Sequence, residues 1–213
     1  MKKIVAVAVF TFCGWIVSNA LAQDGFSAVQ KGNFILDPYY GAPNFGKNLV
    51  QQVTFNNSSI TSTGSGGVGP MGVRAEYLLA DKFGLGVDFI FNSTSLDLTY
   101  DSLNPDQTLY KTYVGVAKMQ RIRVHLRFNY HFVSTENLDA YVGLGAGTNT
   151  RVWSVENSDP GYDFGRQQTI GSLIPFSMRF AAGVRYYFIP NLGFNAEIGL
   201  GGPLVSAGIS LKI

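Results

Sequence analysis

Apolar and polar residues alternate with a period of two through most of the chain after Asp24. The stretch IPNLGFNAEIGLGG, residues 189–202, has an apolar side chain at every second position, and similar patterns begin at Asp81 and Glu136, each after a short turn. A period of two predicts β-strands with one apolar face. No segment after Asp24 has a sustained helical pattern or 18 uninterrupted apolar residues, which argues against transmembrane helices.

The alternating segments predict an all-β chain with connections of alternating length. Eight strands are expected, at about 32–41, 67–80, 82–98, 110–132, 138–153, 173–188, 191–200 and 204–213. Tight turns (LADKF, VSTENL, FIPNL) follow the second, fourth and sixth strands, whereas longer connections span 42–66, 99–109 and 155–171. Only GGP at 201–203 breaks this alternation. Short and long connections alternate when an antiparallel meander has its tight turns on one side, as in an outer-membrane barrel.

Charged residues occupy one parity of the predicted strands. In the fourth strand, Arg121, Arg123 and Arg127 alternate with apolar residues such as Val124 and Leu126. This pattern predicts a closed, antiparallel, eight-stranded transmembrane β-barrel with a polar lumen and an apolar outer face. The alternative is a secreted β-sandwich or a soluble barrel, in which the apolar face points inward.

Aromatic residues cluster near both ends of the predicted strands, which suits a membrane with two interfaces. One predicted belt, near the tight turns, contains Tyr77, Phe83, Tyr130, Phe132, Tyr186, Phe188 and Phe194. The other contains Tyr39, Tyr40, Phe91, Tyr113, Trp153 and Phe176. Charged residues make up 14% of the chain, against about 25% in ordinary soluble domains. Low charge and two aromatic belts both favour a surface that faces lipid.

The N-terminus predicts export. Lys2 and Lys3 precede an apolar run that ends near an Ala-Leu-Ala site, so residues 1–22 are expected to form a signal peptide cleaved after Ala22. The run is shorter than the roughly 20 residues of a membrane anchor. Residues 23–213 are then the barrel domain, located in the bacterial outer membrane with both mature termini in the periplasm.

Removal of residues 1–22 also changes the charge and cysteine balance. It takes Lys2 and Lys3 from the 16 basic residues, so that 14 face 14 acidic ones, and it takes the single cysteine, Cys13. A neutral balance does not support nucleic-acid binding. Without cysteine, a disulfide, a thiolate metal site and a thiol nucleophile are excluded.

With this pattern the chain resembles the small eight-stranded outer-membrane barrels of the OmpA and OmpX type. The stretch GNFILDPYYGAPN and the three strand starts with Leu-Gly or Phe-Gly look like relatives from Bacteroidetes-type bacteria. The resemblance covers nearly all of residues 30–213 and rests on pattern. The chain departs from it at the end, where Leu211-Lys212-Ile213 replaces the terminal Phe common in such barrels.

The candidate site is the set of charged side chains on the lumen parity. They are Asp37, Arg74, Glu76, Asp88, Arg121, Arg123, His125, Arg127, Arg179, Arg185, Glu197 and Lys212. An eight-stranded barrel has an interior just wide enough for side chains to fill it, so we interpret this set as an ion-pair network that plugs the bore. The alternative is a narrow pore that prefers anions, or a small-solute channel, lined by the excess arginine. We further expect Glu197 to pair with a lumen arginine, Arg185 above all.

No pattern indicates catalysis, a cofactor or a metal site. His125 and His131 share the lumen parity, but six residues of strand separate them by about 20 Å, too far for one metal ion. Neither histidine has a serine within two positions, and no G-x-S-x-G motif occurs. The glycine-rich segment 64–70 lacks the Lys and Ser or Thr of a phosphate loop. We therefore expect no enzyme activity.

The expected partners are outer-membrane lipid and whatever the long loops contact. Loops 42–66 and 154–171 are polar connections on one end of a rigid scaffold, where binding surfaces often lie. We interpret each of them either as a solvated loop or as a contact surface for an extracellular ligand, a phage or a neighbouring outer-membrane protein. Membership in a larger outer-membrane complex, as an accessory subunit, is a further alternative.

Overall fold

Ten β-strand segments make up the regular structure of the described chain. The computed structural model describes residues 27–46, 60–103, 110–158 and 175–213. The predicted signal peptide lies outside these ranges, as do residues 23–26, 47–59, 104–109 and 159–174, which include much of the predicted loops 42–66 and 154–171. The segments are β1 Phe34–Ala42, β2 Ile60–Gly66, β3 Met71–Ala80, β4 Phe83–Leu103, β5 Tyr110–Ser134, β6 Leu138–Thr148, β7 Thr150–Asn157, β8 Phe176–Ile189, β9 Leu192–Leu200 and β10 Val205–Lys212.

Eight of these segments form a closed antiparallel barrel. Neighbours pair in the order β1, β3, β4, β5, β6, β8, β9 and β10, and β10 returns to β1. Every pairing is antiparallel. Closure pairs the backbone groups of each strand on both sides, so no edge remains in the barrel wall. The predicted eight-stranded meander is confirmed.

The two ends of the barrel differ. At one end, here called the turn end, two-residue and three-residue connections join β3 to β4, β5 to β6 and β8 to β9. The first strand starts and the last strand finishes at this end, where Phe34 and Ile213 exchange backbone hydrogen bonds. The opposite end, here called the loop end, holds the long connections and the short segment 201–204 between β9 and β10.

At the loop end, four segments continue beyond the barrel as a protruding sheet in the order β2, β4, β5 and β7. Strand β4 has 21 residues and β5 has 25, against nine in β9. At about 3.3 Å per residue, β4 is roughly 70 Å long and β9 roughly 30 Å. The expectation that 42–66 is all loop is therefore wrong, because Ile60–Gly66 forms β2, and 99–103 and 155–157 likewise extend β4 and β7.

The barrel is polar inside and apolar outside. Along β8 and β9, exposed and buried residues alternate strictly over most of the length. Phe180 and Ile198 are more than half exposed, while Arg179 and Glu197, their sequence neighbours, are 2% exposed. Because side chains alternate across a strand, the charges lie in the bore and the apolar residues on the outer surface. The predicted parity holds through the barrel.

One part of the aromatic prediction is wrong. The belt at the turn end is present, since Tyr77, Phe132 and Phe194 are about half exposed or more. In the second belt, however, Tyr39 and Tyr113 are buried. Tyr39 shares the inward parity of Asp37 and donates a hydrogen bond to Asp88 across the bore at 2.7 Å. Position near a strand end does not decide which face an aromatic residue occupies.

The turn end is covered from inside by the segment before β1. Ala28 and Val29 are buried, and Val29 packs against Ile35 and Leu78. The Lys212 ammonium donates to the carbonyl oxygens of Ser27 at 2.5 Å and Ala28 at 3.1 Å. Among the described residues, no helix has the length and apolar character needed to cross a membrane.

Candidate functional site

Near the turn end, the Arg185 guanidinium binds three carboxylates. We call this group the turn-end cluster: Arg185, Asp37, Glu76, Asp139 and His131. Arg185 Nη1 donates to Asp139 Oδ2 at 2.9 Å, and its Nη2 donates to Asp37 Oδ2 at 2.9 Å and to Glu76 Oε2 at 2.6 Å. His131 lies between two of these carboxylates, with Nδ1 2.7 Å from Asp139 Oδ1 and Nε2 3.0 Å from Glu76 Oε1. Since the partners come from β1, β3, β5 and β6, the cluster spans the bore.

Deeper in the barrel, arginines outnumber carboxylates. We call this group the central cluster: Glu197, Asp88, Arg74, Arg127 and Arg179. Glu197 contacts Arg74 Nη1 at 2.5 Å and Arg127 Nη2 at 2.8 Å, and it also accepts from Arg179. Asp88 lies 3.3 Å from Arg127 Nη1 and 3.4 Å from Arg179 Nε. Three guanidinium groups thus enclose two carboxylates, and all five residues are at most 3% exposed.

The expected pair between Glu197 and Arg185 is wrong. The register is as predicted, with Arg185 opposite Asn195 and Gly183 opposite Glu197. Arg185, however, is taken by the carboxylates of Asp37, Glu76 and Asp139. Glu197 instead meets Arg74 and Arg127 from strands that are not its neighbours. Register along one strand pair omits contacts across the bore, which an eight-stranded barrel makes short enough for direct pairing.

The remaining predicted lumen residues lie at the two ends or between the clusters. Lys212 is at the turn end, with its ammonium 5.0 Å from the Tyr187 ring centre. His125 is fully buried, and neither ring nitrogen has a hydrogen-bond partner among the described residues. Arg123 is buried at the loop end, and Arg121 is half-buried there. The two clusters are linked by Arg74 Nε, 3.8 Å from Asp37 Oδ2, and by Tyr141, which contacts both Glu197 and Arg185.

Inward-facing glycines provide the space for these large side chains. A methyl group added at Gly183 would lie 2.5 Å from the Tyr141 ring and hydroxyl, and one at Gly143 would lie 2.6 Å from Arg127 Nη2. Tyr141 in turn donates to Glu197 Oε2 at 3.1 Å and lies under the Arg185 guanidinium at 4.4 Å. Glycine on the polar parity is therefore a packing requirement of the bore.

Several bore residues were absent from the sequence-based set. Asp139, Tyr141 and Tyr39 are buried and hydrogen-bonded within the two clusters. Asp139 and Tyr141 share the odd parity of Gly143 and Gly145 in β6, so the alternation rule applied to that strand would have found them. His131 was placed on the lumen parity and is now seen to bridge two carboxylates.

The outer surface decides what kind of barrel this is. Leu144, Met178 and Leu200 are each more than half exposed, and similar apolar side chains cover the outward parity of the barrel strands. Ion pairs buried inside the barrel and apolar side chains exposed on its outside are the reverse of the arrangement in a water-soluble barrel. The chain folds as a small eight-stranded outer-membrane β-barrel. The soluble sandwich alternative is thereby excluded, since its apolar face would be buried.

Solved structures similar to this chain include bacterial outer-membrane barrels. The N-terminal β-barrel domain of Pseudomonas aeruginosa OprF is 12% identical, with 86% of this chain and 99% of that chain covered and a TM-score of 0.45. OprG of the same organism is 15% identical, with 87% of this chain and 98% of that chain covered and a TM-score of 0.48. Ail of Yersinia pestis, solved with the heparin analogue sucrose octasulfate, is 16% identical, with 85% of this chain and 96% of that chain covered and a TM-score of 0.39. No protein-family model and no curated protein matched the chain.

The described residues offer no metal centre. Within the described ranges, no group of three or more His, Cys, Asp or Glu side chains is arranged to hold a metal ion. The clustered carboxylates are instead neutralised by guanidinium groups at hydrogen-bond distance. These ion pairs connect side chains from strands on opposite walls of the barrel.

Proposed function

We propose that this protein is an outer-membrane barrel with a bore closed to solutes, which acts through contacts at its loop end and not through transport or catalysis. The observation that carries the proposal is the position of Glu197, held by Arg74, Arg127 and Arg179 from three other strands. Such cross-bore pairs support a bore without a continuous column of water or ions at this depth. The segment around Ala28 and Val29 adds a second obstruction at the turn end.

Conductance in planar lipid bilayers tests the closed bore. We expect the wild-type protein to give no discrete conductance steps, because the ion-pair network must break before an ion passes. The double variant Arg127→Ser/Glu197→Ser shortens two of the side chains that cross the bore and should give measurable steps. Its matched control is Leu126→Ala/Ile198→Ala, which changes the adjacent, outward-facing positions of the same two strands and should remain silent.

Discrete, anion-preferring conductance from the wild-type protein would contradict the closed bore and favour the pore. Arg121 and Arg123, at the loop end, are the groups that would attract anions in that case. Neutralising either residue should then reduce the preference for anions. A silent control pair together with a conducting Arg127/Glu197 variant would place the obstruction at the central cluster.

We further propose that the loop end faces the cell exterior and that the protruding sheet is the contact surface. The sheet extends β4 and β5 well beyond the length needed to cross hydrocarbon, about 9–11 residues per strand. Among the described residues, β2 pairs only with β4 and β7 only with β5. Within the described ranges, each therefore has one backbone edge without a neighbouring strand, to which an extended segment of a partner can add as a further strand.

Epitope accessibility on intact Gram-negative cells tests this orientation. A peptide epitope inserted in the β4–β5 connection, between 103 and 110, should bind antibody on whole cells. The same epitope inserted at the β8–β9 turn, at Pro190, should bind antibody only after the outer membrane is permeabilised. The reverse result would place the protruding sheet in the periplasm and would remove the proposed exterior contact surface.

A further inference from the structure

A cavity at the loop end lies between the barrel rim and the base of the protruding sheet. Its volume is about 440 Å³, within the range of pockets that hold small organic ligands. One wall is cationic and is formed by Arg121, Arg123 and Arg151. The rest is largely apolar and includes Phe45, Leu96, Ala117, Met119 and Trp153. No Asp or Glu occurs among the described residues that line it.

These three arginines differ from the other arginines of the bore. Arg74, Arg127, Arg179 and Arg185 each pair with carboxylates. In the part of the chain that the structure describes, no ion pair includes an arginine of the cavity wall. Among the described residues, the charged groups of the lumen therefore shift from three carboxylates around Arg185 near the turn end to three arginines without an ion pair at the loop end.

The arginine wall brings three guanidinium groups together without a carboxylate among the described residues that line the cavity. Arg121 and Arg151 lie directly opposite each other on β5 and β7, and like charges in that position repel. Arg123 is 5% exposed, and its Nε is buried without a hydrogen-bond partner, as is Arg151 Nε. Their other contacts are neutral: Arg121 Nε donates to Asn149 Oδ1 at 2.7 Å, and Arg123 Nη1 donates to the Gly201 carbonyl at 2.5 Å.

The segment Gly201–Pro203 contacts both the cavity wall and the central cluster. The segment Gly201–Pro203 folds inward, where Gly201 accepts from Arg123 and the Pro203 carbonyl lies 3.5 Å from Arg179 Nη1. Asn44 fixes the opposite rim, since its Nδ2 donates to the carbonyls of Ser93 at 2.7 Å and Val68 at 2.9 Å.

We propose that this cavity binds a small organic carboxylate with an apolar body. The carboxylate accepts charge-assisted hydrogen bonds from the three guanidinium groups, because a guanidinium matches a carboxylate in both geometry and charge. The body of the ligand packs against Met119 and Trp153, which face each other across β5 and β7. A purely inorganic anion would leave the apolar wall without contacts, and a neutral molecule would leave the arginines unpaired.

Quenching of Trp153 fluorescence tests the proposal on the purified full chain in detergent. The probe is 4-iodobenzoate, whose iodine quenches a tryptophan in contact, and the matched neutral probe is 4-iodobenzamide. We expect saturable quenching by the carboxylate and only weak, non-saturable quenching by the amide. The variant Trp153→Phe identifies the signal, because it should remove the saturable component.

Substitutions then assign the site. Arg121→Gln and Arg151→Gln should each weaken 4-iodobenzoate binding about tenfold or more, as expected for loss of a charge-assisted hydrogen bond. Lys118→Gln removes the same charge from the same strand, but from an exposed side chain outside the cavity, and should bind as the wild type does. Ala117→Phe keeps all three arginines but fills the cavity, so it should abolish binding. This variant keeps the proposal testable if an arginine variant fails to form the barrel.

Three outcomes would overturn the proposal. Absence of saturable quenching in the wild type would mean that the cavity is closed or already filled by the protein's own chain. Equal binding of the amide and the carboxylate would show that the arginines do not select an anion. Unchanged affinity in Ala117→Phe would place the bound probe elsewhere on the barrel. The test does not depend on which way the barrel faces or on whether the bore conducts.

Discussion

Asp139 and Arg185 lie directly opposite each other on β6 and β8, and Arg185 Nη1 donates to Asp139 Oδ2 at 2.9 Å. The same guanidinium reaches across the bore to Asp37 on β1 and Glu76 on β3. One side chain therefore connects four strands, two of which are not neighbours of its own strand. The contacts exist only in the closed barrel, so they stabilise closure itself.

We expect Arg185→Lys to destabilise the barrel almost as strongly as Arg185→Ala. An ammonium group is a single point charge, whereas the planar guanidinium here donates in three directions to three carboxylates. The loss should be about 3–5 kcal/mol, typical of a broken buried ion pair. Urea unfolding in lipid vesicles measures it. A lysine variant as stable as the wild type would show that charge alone, without geometry, satisfies this cluster.

Glu197→Ala should leave Arg74, Arg127 and Arg179 close together without their shared carboxylate. Asp88 cannot compensate for all three charges, because it already contacts Arg127 and Arg179. The expected cost in unfolding free energy is again about 3–5 kcal/mol. Ile198→Ala, at the adjacent outward position, is the control and should cost far less. Equal unfolding midpoints for Glu197→Ala and the wild type, with both in the barrel form on unheated electrophoresis, would contradict the role of Glu197.

The sequence pattern was sufficient to predict the barrel because the alternation reflects two different solvents. Each strand must present hydrocarbon to one side and polar groups to the other, so parity alone placed Arg179, Arg185 and Glu197 correctly inside. The tight turns were equally visible, since they interrupt the alternation with residues such as Pro190 and Asn191. These features depend only on neighbours in sequence.

What the pattern could not predict depends on contacts between distant strands. Glu197 pairs with lumen arginines as expected, but Arg185 is not one of them, and its partners Arg74 and Arg127 were missed because strand register ignores the opposite wall of the barrel. The protruding sheet was missed because its strands lie outside the barrel, where alternation is weaker, as in the polar segment of β2. The arginine-lined cavity combines Arg151 with Arg121 through the pairing of β7 with β5, which no local pattern reveals. Parity continued from β6 through Asn149 would have placed Arg151 on the inward face.

Gly183→Val should prevent normal packing of the bore while leaving the apolar surface unchanged. A Cβ at position 183 would lie 2.5 Å from the Tyr141 ring, and Tyr141 supports both Glu197 and Arg185. Overpacking of this kind costs about 1–3 kcal/mol. Ala196→Val, on the exposed face of β9, adds a similar volume without a clash and serves as the control. If both variants unfold at the same urea concentration, the glycine is not a packing requirement.

The last prediction concerns the lipid-facing surface and compares two leucines of β6. Leu144 is near the middle of the strand and 58% exposed, whereas Leu138 begins the strand at the turn end. Arginine on the lipid face costs about 2–4 kcal/mol at the bilayer midplane and about 0–1 kcal/mol near the interface. Leu144→Arg should therefore destabilise the barrel in lipid vesicles by that larger amount and Leu138→Arg by little. In a barrel whose outer surface faced water, both substitutions would be nearly neutral, because each would replace an exposed apolar side chain with a hydrated one. Equal, small effects at the two positions would exclude a membrane-spanning barrel, whereas a depth-dependent difference requires hydrocarbon around the middle of β6.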